Sequence, residues 1–111
     1  MEKAIKKVVR SEYFYKDIQK IYLYGVETFG VRAADVFFEE ILKQISELSY
    51  LFNIYPECRH LKTKTQIYRN IILGSYLIIY RITPKRIEVL RAIHGSQSPK
   101  VFKKIRQLKL K

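Results

Sequence analysis

Apolar residues in the first half of the chain recur at helical spacing along two stretches. A β-branched, lysine-rich run over residues 3–10 precedes them and predicts an edge strand. Ser11 provides an N-cap for the first stretch, and Gly30 separates it from the second. So short a link predicts an antiparallel helical hairpin, which Pro56 closes. The first apolar stripe is Phe14, Ile18, Ile21, Tyr22, Gly25 and Phe29, and the second is Ala34, Phe37, Phe38, Ile41, Ile45, Leu48 and Phe52.

After a polar connector the period changes to that of strands. Residues 65–73, 76–83 and 86–94 are β-branched and aromatic, and tight breaks at Gly74-Ser75 and Pro84-Lys85 separate them. Strands joined by such short links form an antiparallel meander. Ser98-Pro99 then predicts the start of a short basic helix. The fold class is therefore α+β, with the order β-α-α-β-β-β-α: one domain over residues 1–111, with a helical hairpin packed on a twisted antiparallel sheet.

The last strand carries apolar groups on both faces. Simple alternation places Ile87, Val89 and Ile93 on one face, and Leu90 and Ala92 on the other. The helical hairpin covers only one face, so the other is capped by the terminal helix or left partly open. An open apolar strip rimmed by Arg and Lys would be a binding surface for an amphipathic peptide.

Charge is distributed unevenly between the two halves. Residues 59–111 contain 14 Lys and Arg against a single acid, Glu88, a net charge of +13. Residues 1–58 contain 8 Lys and Arg against 9 acids, and the whole chain has a net charge of +12. A folded half with this bias predicts a polyanionic ligand or an acidic protein partner.

Composition argues against several other classes. The most apolar run, residues 71–82, is interrupted by Gly74-Ser75 and is too short for a membrane span, and the charged N-terminus lacks the apolar core of a signal peptide. A single cysteine, Cys58, forms no internal disulfide, and with two distant histidines it makes no metal pattern. We therefore expect a soluble cytoplasmic protein without a cofactor. Binding to a membrane surface would need a basic amphipathic helix, and only the last dozen residues offer one.

Candidate chemistry in this sequence is cationic, because no nucleophile–base pair and no glycine-rich phosphate loop stands out. A set of cations stabilises a phosphorane-like transition state by charge, and a histidine among them carries a proton. The alternative is that Arg69 and Arg81 tie strand edges or pair with acids of the hairpin, and that His94 bonds a loop carbonyl. Tyr68, Tyr76 and Tyr80 stack on bases in a nucleic-acid binder, or they pack the core. The cationic candidates are Lys62, Lys64, Arg69, Arg81, Arg91 and His94.

Three segments together resemble the RelE/ParE toxin superfamily. They are Tyr68-Arg69, the stretch 76–82 with its Y-x-x-x-Y-R pattern, and the stretch 87–95 with V-L-R-x-x-H-G. The resemblance extends to Phe29-Gly30 and Pro56 and covers nearly the whole chain. It implies a type II toxin, associated with plasmid stabilization, that a cognate acidic antitoxin wraps and silences.

The branch within the superfamily decides the expected chemistry. Ribonuclease members of the RelE kind cut mRNA on the ribosome with two arginines and a tyrosine, and the matching positions here are Leu77, Ser96 and Phe102. Neither leucine nor phenylalanine replaces those functions. The V-L-R-x-x-H-G strand is similar to the ParE branch, whose members poison DNA gyrase without cutting, although Ser96-Gln97-Ser98 departs from its usual continuation.

Three interpretations remain open from the sequence. The first is a ParE-like toxin that binds a target protein such as DNA gyrase. The second is an mRNA endoribonuclease with a non-standard site made of Lys62, Lys64, Arg69, Arg81 and His94. The third is a degenerate toxin that retains only its antitoxin partner. In the first interpretation, the residues predicted to bind target or antitoxin are Arg69, Tyr76, Tyr80, Arg81, Arg91, His94, Lys100, Lys103 and Lys104.

Overall fold

The computed structural model describes residues 5–110 and contains the predicted order of elements. The first strand, β1, spans Lys7–Arg10, and the helices α1 and α2 span Glu12–Phe29 and Val31–Leu51. The strands β2, β3 and β4 follow over Tyr68–Leu73, Tyr76–Ile82 and Arg86–His94, and the helix α3 spans Pro99–Ile105. Part of the strand predicted over residues 3–10 lies outside the described residues. In this part of the chain, no helix combines the length and apolarity needed to cross a bilayer.

The sheet is mixed: the predicted antiparallel meander is present, and β1 adds a parallel edge strand to it. Its strand order is β1-β4-β3-β2, with β1 at one edge as expected. The strands β2, β3 and β4 form the antiparallel meander, whereas β1 runs parallel to β4. The helical hairpin connects β1 to the meander across one face of the sheet, and such a crossover allows parallel pairing. The strand predicted from residue 65 begins only at Tyr68, after Gln66 adopts a left-handed turn with φ of 55°.

A β-bulge in β4 reverses the expected alternation of its side chains. Arg91 pairs with Ile79 and Val89 pairs with Tyr80, so Leu90 has no partner in β3. After this extra residue, Ala92 joins Ile87 and Val89 in the core under the helices, while Ile93 joins Leu90 on the other face. The predicted faces of Ala92 and Ile93 were therefore exchanged.

Ser11 connects the start of α1 to this bulge. Its Oγ accepts the Phe14 N–H at 2.9 Å, which is the expected N-cap bond. The same hydroxyl donates to the carbonyl oxygen of Leu90 at 2.6 Å, and the Ser11 N–H donates to the Val89 carbonyl. Polar backbone groups freed by the bulge thus find a partner in a buried side chain.

The helical hairpin turns sharply and packs closely. Gly30 joins α1 to α2 with φ of 94°, a conformation that favours glycine. At Gly25 an added Cβ would lie 3.3 Å from the Cβ of Ala34, so the two helices approach each other closely there. The hairpin buries its stripes against one face of the sheet, in a cluster that includes Phe14, Ile45 and Tyr80.

The second face of the sheet is covered: of the two predicted alternatives, the cap by the terminal helix is present, and the open apolar strip is not found in the described residues. Cys58 and Leu61 from the α2–β2 connection, together with Phe102 and Ile105 from α3, pack onto it. Leu90 and the other strand residues of this cluster are almost fully buried, and Ile72 at the β2 edge is the exposed large apolar residue among the described strands. The short terminal helix does not have to cover this face alone, because Cys58 and Leu61 of the α2–β2 connection cover part of it.

Tyr80 leads to a prediction about stability at high pH. Its side chain is fully buried and its hydroxyl donates to the Phe52 carbonyl oxygen at 2.7 Å, and burial raises the pKa of the phenol well above its usual value of 10.0. The neutral phenol therefore stabilises the fold below pH 10, and this contribution falls by about 1.4 kcal/mol per pH unit above it. We expect Tyr80→Phe to lose about 1 kcal/mol at pH 7 and to reduce the alkaline loss. Urea denaturation from pH 8 to 11 measures both effects.

Exposed Tyr50 gives the matched Tyr50→Phe control for Tyr80→Phe. An equal loss of stability at high pH in the parent protein and in both variants would contradict the assignment of that loss to Tyr80.

Candidate functional site

An apolar groove lies between the helical hairpin and one end of the sheet. We call it the hairpin groove, and its volume is about 680 Å³. Both helices contribute to its wall, and the β2–β3 turn at Gly74-Ser75 forms its lower rim. Aromatic rings pack in series along it: Phe37 and Tyr76 have centroids 6.0 Å apart, and Tyr76 and His94 have centroids 5.6 Å apart. Its lining includes Gly25, Phe29, Phe37, Phe38, Tyr76 and His94.

Large apolar side chains are exposed around the hairpin groove. Phe29, at the end of α1, is 71% exposed, and Val31 and Tyr24 are each 57% exposed. Leu23 and Val36 of the same two helices are exposed as well. Exposed large apolar residues on a small folded domain indicate a candidate interaction surface. The hairpin therefore offers a candidate apolar binding surface, whereas the sequence had suggested one on the sheet.

His94 is exposed at the mouth of the hairpin groove and is tied to its own loop. Its Nδ1 accepts the Ser96 N–H at 3.1 Å and lies 2.6 Å from the Ser96 Oγ. Because the backbone N–H is an obligatory donor, Nδ1 is the acceptor in the contact with the Ser96 N–H. The bond to a loop neighbour agrees with the structural interpretation of His94, with Ser96 as the partner instead of a carbonyl.

Arg91 forms a two-pronged ion pair with the hairpin. Its Nε and Nη2 donate to the carboxylate of Asp17 at 2.6 and 2.9 Å, and the Ala92 N–H donates to the same carboxylate. Hydrogen bonding to Asp17 raises the pKa of Arg91, against the effect of burial. Asp17 is buried on α1, so this pair fastens the hairpin to β4.

Arg81 and Arg86 both form ion pairs with Glu88, which is the one acid in the sequence of residues 59–111. Glu88 is buried, with Arg81 at 2.7 Å and Arg86 at 2.7 Å from its two oxygens. Burial opposes the charge of Arg81, but its hydrogen bonds to Tyr68 and Glu88 outweigh burial and raise its pKa. The same arginines donate to the carbonyl oxygens of Leu108 and Leu110, each at 2.8 Å. This cluster fixes the chain after α3 to the sheet.

Two more of the predicted partner residues serve the fold. Arg69 donates to the carbonyl oxygens of Asn53, Tyr55 and Gln66 and so closes the connection after α2. Tyr80 is fully buried, so the prediction that it contacts a target or antitoxin was wrong. Arg69, Arg81 and Arg91 are engaged within the chain, which agrees with the alternative that the arginines tie structural elements together.

The proposed ribonuclease set is not gathered into one site. Arg81 pairs with Glu88 in the sheet, whereas His94 pairs with Tyr76 at the far end of the same strand. His94 lies six positions after Glu88 along β4, a distance of roughly 20 Å at strand spacing. Lys62 and Lys64 are exposed on the α2–β2 connection. The structure thus does not bring His94 together with Arg81.

A second candidate surface lies on the side of the sheet away from the hairpin. We call it the basic face, and it is formed by the α2–β2 connection, α3 and the residues that follow α3. Arg106 joins these segments, because its Nη2 donates to the Lys62 carbonyl oxygen at 3.1 Å, and the His60 ring stacks on Phe102 at 4.1 Å. Its exposed cations are Arg59, Lys62, Lys64, Lys100, Lys103, Lys104, Arg106 and Lys109.

The described residues do not bring together three His, Cys, Asp or Glu side chains that could hold a metal ion. Cys58 is buried, and burial raises the pKa of its thiol, which keeps the reactive thiolate scarce.

Sequence reasoning missed Asp17 and the hairpin groove. A signal for Asp17 was present, because it lies three residues after Phe14 and four before Ile21, within an otherwise apolar stripe. An acid at such a position is buried and needs a cationic partner. The groove had no comparable signal, since Phe29 and Phe37 fit the apolar stripe whether they are buried or exposed.

Comparisons with known proteins agree with this fold. Residues 8–99 match the family described as the ParE toxin of the type II toxin-antitoxin system, parDE. A solved structure from P. aeruginosa, described as a chromosomal ParDE TA system, is similar with a TM-score of 0.67 and 19% sequence identity, covering 82% of this chain and 97% of that one. Among curated proteins, none matches this sequence significantly. The family match spans most of the chain, and the chain therefore belongs to the ParE toxin family of type II toxin–antitoxin systems.

Proposed function

We propose that this protein stops growth by binding a target protein such as DNA gyrase, and that a cognate acidic antitoxin neutralises it. The proposal places its action in the cytoplasm and gives the pair a role in stabilising the plasmid or chromosomal segment that encodes it. Membership of the ParE family supports a toxin with an antitoxin partner. The net charge of +12 favours an acidic partner, since opposite charges speed and orient association.

We propose that the antitoxin binds in the hairpin groove. It is open, apolar and flanked by Phe29, which is 71% exposed, so covering it removes a large apolar area from water. An amphipathic helix or an extended segment fits such a groove. Tyr76 and His94 lie at its mouth and we assign both to the antitoxin contact. Lys100, Lys103 and Lys104 lie on the basic face, where we place the contact with the target complex.

Positions that align with RelE-type catalytic residues support a toxin that does not cut mRNA. Phe102 is fully buried and stacked against His60, so it presents no group to a substrate. Leu77 packs at the edge of the α3 core, and Ser96 bonds its own loop at His94. Induction of the toxin in cells tests the proposal directly. We expect a DNA-damage response with intact mRNA, and rapid mRNA cleavage without that response would contradict it.

Phe29→Ala tests the hairpin groove as the antitoxin site. Because Phe29 is largely exposed, we expect the free energy of unfolding to change by less than about 0.5 kcal/mol. Loss of an exposed aromatic anchor at an interface weakens binding by about 1–2 kcal/mol or more, which is about tenfold or more in Kd. Calorimetric titration with the antitoxin measures this effect. Tyr50→Ala, at an exposed aromatic outside the groove, is the matched control, and equal losses for the two variants would count against the groove.

His94→Gln separates a binder from a ribonuclease. In the proposed binder, the amide replaces an imidazole that bonds only its loop neighbour Ser96, so toxicity on induction should remain within a few-fold. Ser96→Ala removes the hydroxyl from that contact and should be similarly mild. In a ribonuclease, loss of the proton carrier would lower activity by about 100-fold or more. Growth after induction, with protein levels matched by immunoblot, distinguishes these outcomes.

A further inference from the structure

The basic face is a continuous surface of one charge. Its eight exposed cations come from residues 59–64 and from α3 with the four residues after it. The bond from Arg106 to the Lys62 carbonyl and the stack of His60 on Phe102 hold the two segments side by side. Residues 58–110 contain one acid, Glu88, and it is buried between Arg81 and Arg86. The nearest other acid of the connection is Glu57, which is half-buried and accepts the Thr63 N–H at 2.9 Å, so the eight exposed cations still outnumber the acids of this face.

The basic face offers almost no apolar contact. The side chains of Phe102 and Ile105 point into the core under α3, and neither of the segments 58–67 and 99–110 contributes an exposed large apolar residue. A stable protein interface needs an apolar centre, and an amphipathic helix binds a lipid surface by inserting its apolar face. Since α3 packs its apolar face into the core, a lipid surface is disfavoured, and a protein that contacts this face is held there by charge without an apolar centre. A ligand that is held by charge alone fits better.

Aromatic rings on this side are already covered. Tyr68 is buried, with the guanidinium of Arg81 5.7 Å and that of Arg106 5.6 Å from its ring centroid. His60 is stacked on buried Phe102. Single-stranded nucleic acids are bound by stacking unpaired bases on several free aromatic rings, and among the described residues of the basic face only the half-exposed His60 ring is open to solvent. A duplex exposes its phosphates and hides its bases, which matches this surface.

We propose that the basic face binds the phosphate backbone of duplex DNA without reading its sequence. The inference rests on the proposed function in that both use the basic face, where the target complex is contacted. It adds that the ligand bound there is duplex DNA. DNA binding by the purified chain needs neither gyrase nor antitoxin. Failure to bind DNA would therefore leave the proposed target untouched, and failure to inhibit gyrase would leave DNA binding untouched.

Fluorescence anisotropy with a labelled 30-base-pair DNA duplex of arbitrary sequence tests the inference. If about four phosphates are neutralised, the slope of log K against log salt is about −3.6, and raising salt from 50 to 200 mM weakens binding about 150-fold. Lys103→Gln with Lys104→Gln should halve that slope to about −1.8. Lys62→Gln with Lys64→Gln should act in the same direction from the other segment. All four lysines are exposed, so the variants should remain folded.

The matched control removes the same number of positive charges from the hairpin instead of from the basic face, so its net charge equals that of the variants. Lys16 and Lys20 are exposed on α1, and Lys16→Gln with Lys20→Gln should leave the slope within about 0.5 of that of the parent protein. Equal loss in the control would mean that overall charge, not the basic face, governs binding, and would overturn the proposal. Tighter binding to single-stranded DNA, duplex RNA or phosphatidylserine vesicles than to the DNA duplex would also overturn it.

Discussion

Glu88→Ala should lower the free energy of unfolding by about 3 kcal/mol. The carboxylate is buried and bonded to Arg81 and Arg86, whose side chains are 14% and 27% exposed. Removal of one member of a buried ion pair leaves uncompensated charge, and such losses are about 3–5 kcal/mol; partial exposure of the arginines favours the lower end. The arginines would also repel each other, in the half of the chain that has a net charge of +13.

Urea denaturation of purified protein measures this loss. Glu39→Ala makes the same chemical change at an exposed position on α2 and should change the free energy of unfolding by less than about 0.5 kcal/mol. A loss below about 1 kcal/mol for Glu88→Ala would show that the cluster does not stabilise the fold as described.

Phe102→Ala should have an equal or larger effect, about 3–5 kcal/mol. Phe102 is fully buried between α3 and the sheet and stacks on His60, so truncation leaves a cavity in the smaller of the two cores. Phe29→Ala removes the same atoms from an exposed position and serves as the control. Thermal and urea unfolding of both variants give the comparison, and similar small losses would contradict the position of Phe102.

The position of Phe102 has a functional consequence as well. The superfamily's ribonucleases have a catalytic tyrosine at the aligned position, so Phe102→Tyr restores the residue type. Because the ring is buried, the added hydroxyl would lie in an apolar core without access to RNA. We expect this variant to be less stable and to acquire no ribonuclease activity.

Local pattern predicted most of the fold because each element carries its own signal. The stripes of α1 and α2, the cap at Ser11 and the breaks at Gly30 and Gly74 are all set by neighbours in sequence. The bulge at Leu90 was not predictable, because it depends on pairing with β3 and on Ser11, 79 residues away. Parallel pairing of β1 likewise depends on where the hairpin carries the chain.

The intramolecular partners of the strand arginines could not be predicted from the sequence for a related reason. Basic residues in strands looked available for a partner, but Arg91 meets Asp17 across 74 residues and Arg81 meets the carbonyl of Leu108. Such partners become visible only once the elements are packed. Lysines of α3 were assigned to the surface correctly, since an amphipathic pattern separates exposed from buried positions within one helix.

A supercoiling assay with purified DNA gyrase tests the central claim most directly, namely that this toxin acts by binding a target protein. Toxin is added to gyrase and relaxed plasmid, with and without an excess of its antitoxin, and translating ribosomes with bound mRNA are incubated with toxin in parallel. We predict that supercoiling stops, that antitoxin restores it, and that the RNA remains intact. Unimpaired supercoiling at a large molar excess of folded toxin, together with cleaved RNA, would contradict the account.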